Sequence, residues 1–180
     1  MARVPLVEEA NHPELADQIA RMKGGRGGRL LNVYKLLLNA PVLANTWFEH
    51  VSAVRWQTQL DGQTRELAII RVGILNRVAY VMAQHVPAYA LAEGLSLEQC
   101  EALAEWRSSP LFSERQRAVL AYTDSMTNDI QVPNEIYDAL RSHFTDQQIV
   151  ELTVLIGTYN MHTRVLQALE IDLEANPPTR

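Results

Sequence analysis

Apolar residues return every three or four positions along most of the chain, the spacing of helices that bury one face. In "PVLANTWFEHVSAVRW" the repeat runs through Leu43, Trp47, Val51 and Val54. Pro41 ends the preceding short apolar helix, "RLLNVYKLLLNA". Near the N-terminus, Asn11 with Pro13 in the first turn predicts a capped helix running to about Met22. Ser96 with Gln99, Ser113 with Gln116 and Thr145 with Gln148 have the spacing of a capping box, in which each end of the pair satisfies a backbone N–H. Pro133 starts a further helix. No segment sustains the two-residue alternation of a half-buried strand. An all-α fold of six to eight helices is expected. Two stretches, Leu67 to Ala83 and Ile149 to Leu169, are apolar over most of their surface and belong in a core or an oligomer interface.

The chain has 180 residues, ordinary for one domain (residues 1–180) and enough to bury roughly 70% of its unfolded surface. Its formal net charge of −5 offers no broad attraction to nucleic acid or anionic lipid. The local exception is "KGGRGGR", Lys23 to Arg29, between two helical patterns. It has neither the preceding strand nor the Lys-Ser/Thr ending of a phosphate-binding loop, so a plain loop is expected. Cys100 is the only cysteine, which rules out an intrachain disulfide and fits a reducing compartment. No stretch reaches the roughly 20 apolar residues that span a bilayer, and the N-terminus lacks a signal-peptide core. A cytoplasmic protein without nucleic-acid or membrane partners is expected.

One stretch raises a chemical question: "TRELAIIRVGILNRVAYVMAQHVPAYALAEGLS" buries Glu66 and His85 in apolar surroundings. On one straight helix they would stand about 28 Å apart and could not cooperate. They can meet only if the chain breaks between them or if a neighbouring subunit supplies one. Asn76-Arg77 is a plausible break, because Asn favours caps over helix interiors. Pro87 removes a backbone donor and crowds the carbonyl of Ala83. A Glu-x-x-His pair, Glu9 with His12, occurs once and without the mate a di-iron bundle needs; with no zinc spacing either, no metal is assigned.

"RELAIIRV…YVMAQHVPAYALAEGLSLEQ" resembles the carboxymuconolactone decarboxylase and alkylhydroperoxidase D superfamily. "GGRLLNVYKLLLNAPVLANTWFEHVSAVRWQ" is similar to the N-terminal part of its decarboxylase-type members, and "QQIVELTVLIGTYNMHTRVLQALEI" to their closing helix. The resemblance implies an all-helical fold that assembles as trimers or hexamers, with active sites near subunit contacts. In the peroxidase branch a Glu is followed by C-x-x-C and then a His. Here those places fall on Glu66, Val78, Val81 and His85. Valine supplies no thiolate, which excludes dithiol peroxidase chemistry. Decarboxylase-like members resemble "YEWYQH" here, with a carboxylate where Val81 stands, and valine cannot move a proton.

His85 is therefore the one titratable group kept in the centre of the motif, with Glu66 as its orienting partner. The expectation is a lyase without cofactor acting on a small organic acid or lactone: His85 as acid/base, and Arg55 or Arg71 holding the substrate anion. Tyr80 and Trp56 would line the pocket, with Trp47 and Met82 as further candidates. His50 and His162 join only if the fold brings them in. Each assignment has a structural counterpart: His85 in a subunit contact, Glu66 favoured by the dipole of its helix's first turn, the arginines in ion pairs, the aromatics in the core. A scaffold member that binds a ligand or assembles without catalysis is the alternative.

Overall fold

The computed structural model describes residues 1–175. These residues form nine α-helices and no strand: α1 Ala16–Gly24, α2 Asn32–Leu37, α3 Pro41–Trp56, α4 Gly62–Leu75, α5 Ala79–His85, α6 Leu97–Ala102, α7 Glu114–Asn128, α8 Asn134–Arg141 and α9 Asp146–Ala168. None is long and apolar enough to cross a membrane. All three capping boxes form, at Ser96, Ser113 and Thr145. The Asn11–Pro13 expectation needs correction. Two 3-10 turns, Glu9–Asn11 and Pro13–Leu15, precede α1, and neither has a side-chain cap. The Asn11 amide is taken by Glu8 of the first turn.

Helix α4 is the axis of the domain and packs against α5, α7 and α9. Asp61 caps it by accepting from the Thr64 amide at 2.9 Å, and every residue from Thr64 to Gly73 is buried. One side of α4 faces the main core, with Ala68, Ile69 and Val72 among residues of α3, α7 and α9. The other side, through Leu67 and Ile70, meets a smaller cluster with Cys100, Leu103, Trp106 and Leu120. Cys100, 3% exposed, serves there as a small hydrophobe.

The break at Asn76-Arg77 is present, and its hydrogen bonds show how it works. The Val78 amide donates to the Gly73 carbonyl at 2.9 Å and the Arg77 amide to Ile74 at 3.0 Å. This pairing is the Schellman ending of a helix, which needs its turning residue in the left-handed region. Arg77 occupies it at φ 57°, a place usually given to glycine. Asn76 is tied to α9 through Asn160 and Thr163, at 3.0 and 2.9 Å. The chain then doubles back, and α5 lies so close to α4 that a Cβ on Gly73 would come within 2.9 Å of a Val81 methyl. At its far end α5 gives way to a wider, π-type turn over Val86–Ala90, where Pro87 has no N–H to continue the α-helical ladder.

On α9, Ile149, Leu152, Leu155, Ile156, Tyr159 and Leu166 point inward. Its outer face leaves Val150, Val154 and Met161 at 62%, 41% and 42% exposure. Met161 borders a groove of about 710 Å³ together with Leu43 and Trp47 of α3 and Val165. Because Arg77 is exposed and left-handed backbone costs a non-glycine residue about 1–2 kcal/mol, Arg77→Gly should stabilise the fold by up to about 1 kcal/mol once glycine's greater unfolded-state freedom is subtracted. Urea unfolding measures it. A loss of stability would mean that the Arg77 side chain, not the turn, holds the reversal.

Candidate active site

The reversal lies about midway between Glu66 and His85, so the two residues come level on adjacent helices. His85 Nδ1 is 2.6 Å from Glu66 Oε2. Neither is accessible: Glu66 is 0% and His85 6% exposed. Glu66 stands in the second turn of α4, which starts at Gly62 with no acidic residue in its first turn. The helix dipole is therefore not what holds this carboxylate. Its other oxygen, Oε1, faces two guanidinium groups, Arg65 at 3.4 Å and Arg55 at 3.7 Å. Arg65 also reaches Glu93 at 2.6 Å.

These neighbours fix the charge states. Burial by itself raises the Glu66 carboxyl, but His85, Arg55 and Arg65 together outweigh it and hold the group below the ordinary carboxylate range. Burial pushes the His85 imidazole down, and Glu66 opposes this without reversing it. The resting pair is a carboxylate and a neutral imidazole. The Nδ1 proton is the one Glu66 accepts, which leaves Nε2 with a lone pair. The Tyr159 hydroxyl of α9 is 3.4 Å from Nε2, and burial raises its pKa. Glu66, His85 and Tyr159 form one line of proton-carrying groups.

His85, Tyr159 and Arg55 line a cavity with Arg26, Tyr34, Tyr80, Val81, Gln84, Tyr89 and His162. It is small, about 40 Å³, where one water requires roughly 10–15 Å³ on the same measure. A more open vestibule of about 480 Å³ adjoins it, sharing Arg26, Leu31, Gln84 and Tyr89. Trp56 and the glycine loop at Gly25, Gly27 and Arg29 form its rim. Arg55 is 4% exposed, and its guanidinium lies over the Trp56 and Tyr89 rings at 4.5 and 4.2 Å. Its Nε and Nη2 have no hydrogen-bond partner, nor does the buried Gln84 Nε2.

Of the six residues expected at the site, five meet around this space. Glu66 orients His85, while Arg55 and Tyr80 line the cavity and Trp56 the vestibule. The Tyr80 hydroxyl is engaged, donating to Glu174 at 2.6 Å. Arg71 does not belong with them. It leaves the opposite side of α4, where Nε and Nη2 bond both oxygens of Asp124 at 2.6 and 3.1 Å and Nη1 bonds the Leu103 and Ala104 carbonyls. With four of its five N–H donors bonded there and its charge paired with Asp124, it braces the fold on the side of α4 away from the cavity. His162 reaches the cavity, whereas His50 turns to the outer groove and bonds Thr158 at 2.8 Å. Trp47 borders that groove too, and Met82 packs toward the smaller core cluster. Arg26, Arg65, Tyr89 and Tyr159 were not anticipated. Only the Pro87 disturbance near Tyr89, and the unexplained charge at Arg26 in the glycine loop, pointed toward any of them.

Residues 41–125 match the model of the carboxymuconolactone decarboxylase family. The uncharacterized protein YnjA of Escherichia coli is 39% identical over 122 residues, 65% of this chain and 64% of YnjA. The shared region is thus less than two thirds of that relative's length. A protein of unknown function from Agrobacterium tumefaciens has a crystal structure similar to this one, with a TM-score of 0.73 and 26% identity over 78% of this chain and 97% of its own. The structure of an alkylhydroperoxidase AhpD core, an uncharacterized peroxidase-related protein from Ralstonia eutropha JMP134, shares the fold. Its TM-score is 0.80 at 16% identity, covering 97% and 93% of the two chains. The chain is thus similar to this family over residues 41–125 and shares the all-helical fold of these structures.

Acid should weaken the domain. His85 titrates lower in the folded than in the unfolded chain, and burial takes His162 down to about 3. Below the unfolded value of 6.5 the unfolded chain therefore binds more protons, and stability falls with pH. Glu66, also held low, adds a second loss below its ordinary value of 4.5. Urea midpoints should fall continuously from pH 7 toward pH ~4. A midpoint flat across that range would show that the imidazoles are not held neutral.

Proposed function

We propose that the protein is a lyase of the decarboxylase-like type, acting without a cofactor on a small organic acid or lactone. The observation that carries this is the Glu66–His85 contact at 2.6 Å, opening through Nε2 on a cavity where Arg55 keeps two nitrogens without a hydrogen bond. A neutral imidazole fixed by a carboxylate presents a free Nε2 lone pair that can take a proton and return it within the site. In a decarboxylation the bond from carbon to the departing carboxylate breaks. Its electron pair moves into a conjugated carbonyl, carbon dioxide leaves, and the carbon takes a proton. His85 relays that proton, drawn from water. Arg55 faces the negative charge, as the anion holder the sequence suggested.

The peroxidase names attached to structural neighbours do not extend to this chain, because Val78 and Val81 hold the thiol positions. Those same valines favour the second reading, a scaffold that binds an organic acid without converting it. We place the protein in the cytoplasm, where Cys100 stays reduced.

Carbon dioxide release from carboxymuconolactone and related lactone acids tests the lyase. Wild type should turn over at least one of them. His85→Ala should lose about 100-fold or more in rate and still bind the acid. Binding without turnover across the panel would leave the scaffold reading standing.

The exposed apolar face of α9 and the neighbouring groove support a homotrimer or homohexamer. Light scattering at micromolar concentration should give a multiple of the 20.3 kDa chain, and Val150→Glu with Val154→Glu should shift it toward the monomer. A wild-type monomer would overturn the assembly.

A further inference from the structure

The cavity holds more positive charge than its neighbours neutralise. Arg26 is 9% exposed, and its hydrogen bonds run to neutral oxygens: the Tyr34 hydroxyl at 3.1 and 2.7 Å, the Gly25 carbonyl at 2.7 Å and Ser52 at 3.3 Å. Arg55 shares Glu66 with Arg65 and His85, and its own contact with that carboxylate is the longest of the three. Two buried guanidinium groups on one small cavity, one with two orphaned nitrogens, are costly for an isolated protein. Four groups without a hydrogen bond line the cavity: Arg55 Nε, Arg55 Nη2 and Gln84 Nε2 are donors, and His162 Nδ1 donates in one of its tautomers. A guest made of acceptors with negative charge relieves every one of them.

Size then divides the guest in two. A cavity of about 40 Å³ admits a carboxylate and a water but no ring. The adjoining vestibule, about 480 Å³, has the volume of a small-molecule site. Its walls are flat: Trp56 and Tyr89 stand 6.0 Å apart by ring centroid, with the Arg55 guanidinium over both and Arg65 over Trp56 at 4.9 Å. Trp56 remains 46% exposed, a large aromatic face left open at the entrance. The glycine loop explains the open rim. A Cβ at Gly27 would meet nothing within 4 Å, and Gly27 and Gly28 take φ of 62° and 79°, so the loop bends without side chains projecting over the mouth.

We propose that cavity and vestibule form one binding site for an aromatic carboxylate, its acid group inward on Arg55 and its ring outward beside Trp56 and Tyr89. The loop over residues 25–29, which follows the Lys23 and Gly24 that helix α1 takes up, thereby supplies both the inner cation Arg26 and the mouth. This assignment rests on the organic-acid reading of the site and narrows it to a substrate class.

The test is a titration of the full chain, followed by tryptophan fluorescence and calorimetry, with benzoate, benzamide, cyclohexanecarboxylate and acetate. Benzoate should bind best. Benzamide, isosteric but neutral, should bind at least about tenfold more weakly. Cyclohexanecarboxylate, equally charged but without a π face, should be weaker by about threefold or more. Arg55→Gln should remove the preference for acid over amide, and Trp56→Leu the preference for the flat ring, each with an unchanged helical circular dichroism spectrum. The wild-type ligand series decides the matter even if either variant fails to fold. Equal affinity for benzoate and benzamide, equal affinity for benzoate and the saturated acid, or no binding at all would each overturn the proposal. Turnover of aliphatic lactone acids without a benzoate preference would keep the lyase and sink the aromatic class. Benzoate selectivity without any turnover would do the reverse.

Discussion

A carboxylate with no solvent exposure sits in the centre of this domain, and the surrounding architecture answers its charge. Removing Glu66 from water is tolerable only if opposite charge and donors arrive from several directions. They come from α3 through Arg55, from α4 through Arg65 and from α5 through His85. To deliver His85 the chain has to reverse after Leu75, and to let α5 lie close it needs the missing side chain at Gly73. The left-handed Arg77 and the tethering of Asn76 to α9 follow from that reversal. A buried charge of this kind is weak evidence for stability, since apolar residues of similar volume often serve better. Its retention, opening on a cavity, fits a site that works with protons.

The two arginines on opposite sides of α4 show how burial and charge can mislead or inform. Arg71 and Arg55 are both buried and both near acids. Arg71 spends its donors on Asp124 and two carbonyls, and Trp106 and Arg107 add their own bonds to the same Asp124. That cluster is closed, and it locks the 103–107 segment to α7. Arg55 has a long contact to Glu66 and two aromatic rings against it, which attract its charge without occupying its N–H groups. Composition and spacing cannot separate the two arginines. The difference lies in where neighbouring helices place their oxygens.

Local chemistry was legible in the sequence wherever it is written in contiguous residues. The capping boxes at Ser96, Ser113 and Thr145 are three-residue geometry, and they formed as their spacing dictates. Asn76 marked the break because its side chain competes with helical backbone bonds, and the Glu66–His85 pairing followed from the break. Tyr159 and Arg26 were beyond reach for the opposite reason. Tyr159 is 74 positions from His85 and lies on an inward face of α9 that also carries plain core residues, while Arg26 sits in a loop whose direction no periodicity records. Asn11 failed differently: its backbone was already used by an earlier turn.

Val81 shows what a fold can keep while its chemistry changes. The resemblance implies a thiol or a carboxylate at its position, and here it lines the cavity and packs on Gly73. A methyl group there removes the reactive atom and dries one wall of the cavity, which strengthens the interaction between the remaining charges. The Glu66–His85 pair is held by helix geometry that does not involve the side chain at position 81 for its hydrogen bond. With the thiol gone, the group nearest His85 Nε2 is the Tyr159 hydroxyl, and the group with unspent donors is Arg55. The site thus presents an anion pocket beside a carboxylate–imidazole pair and no thiol, which accords with the proposed decarboxylation and not with dithiol chemistry.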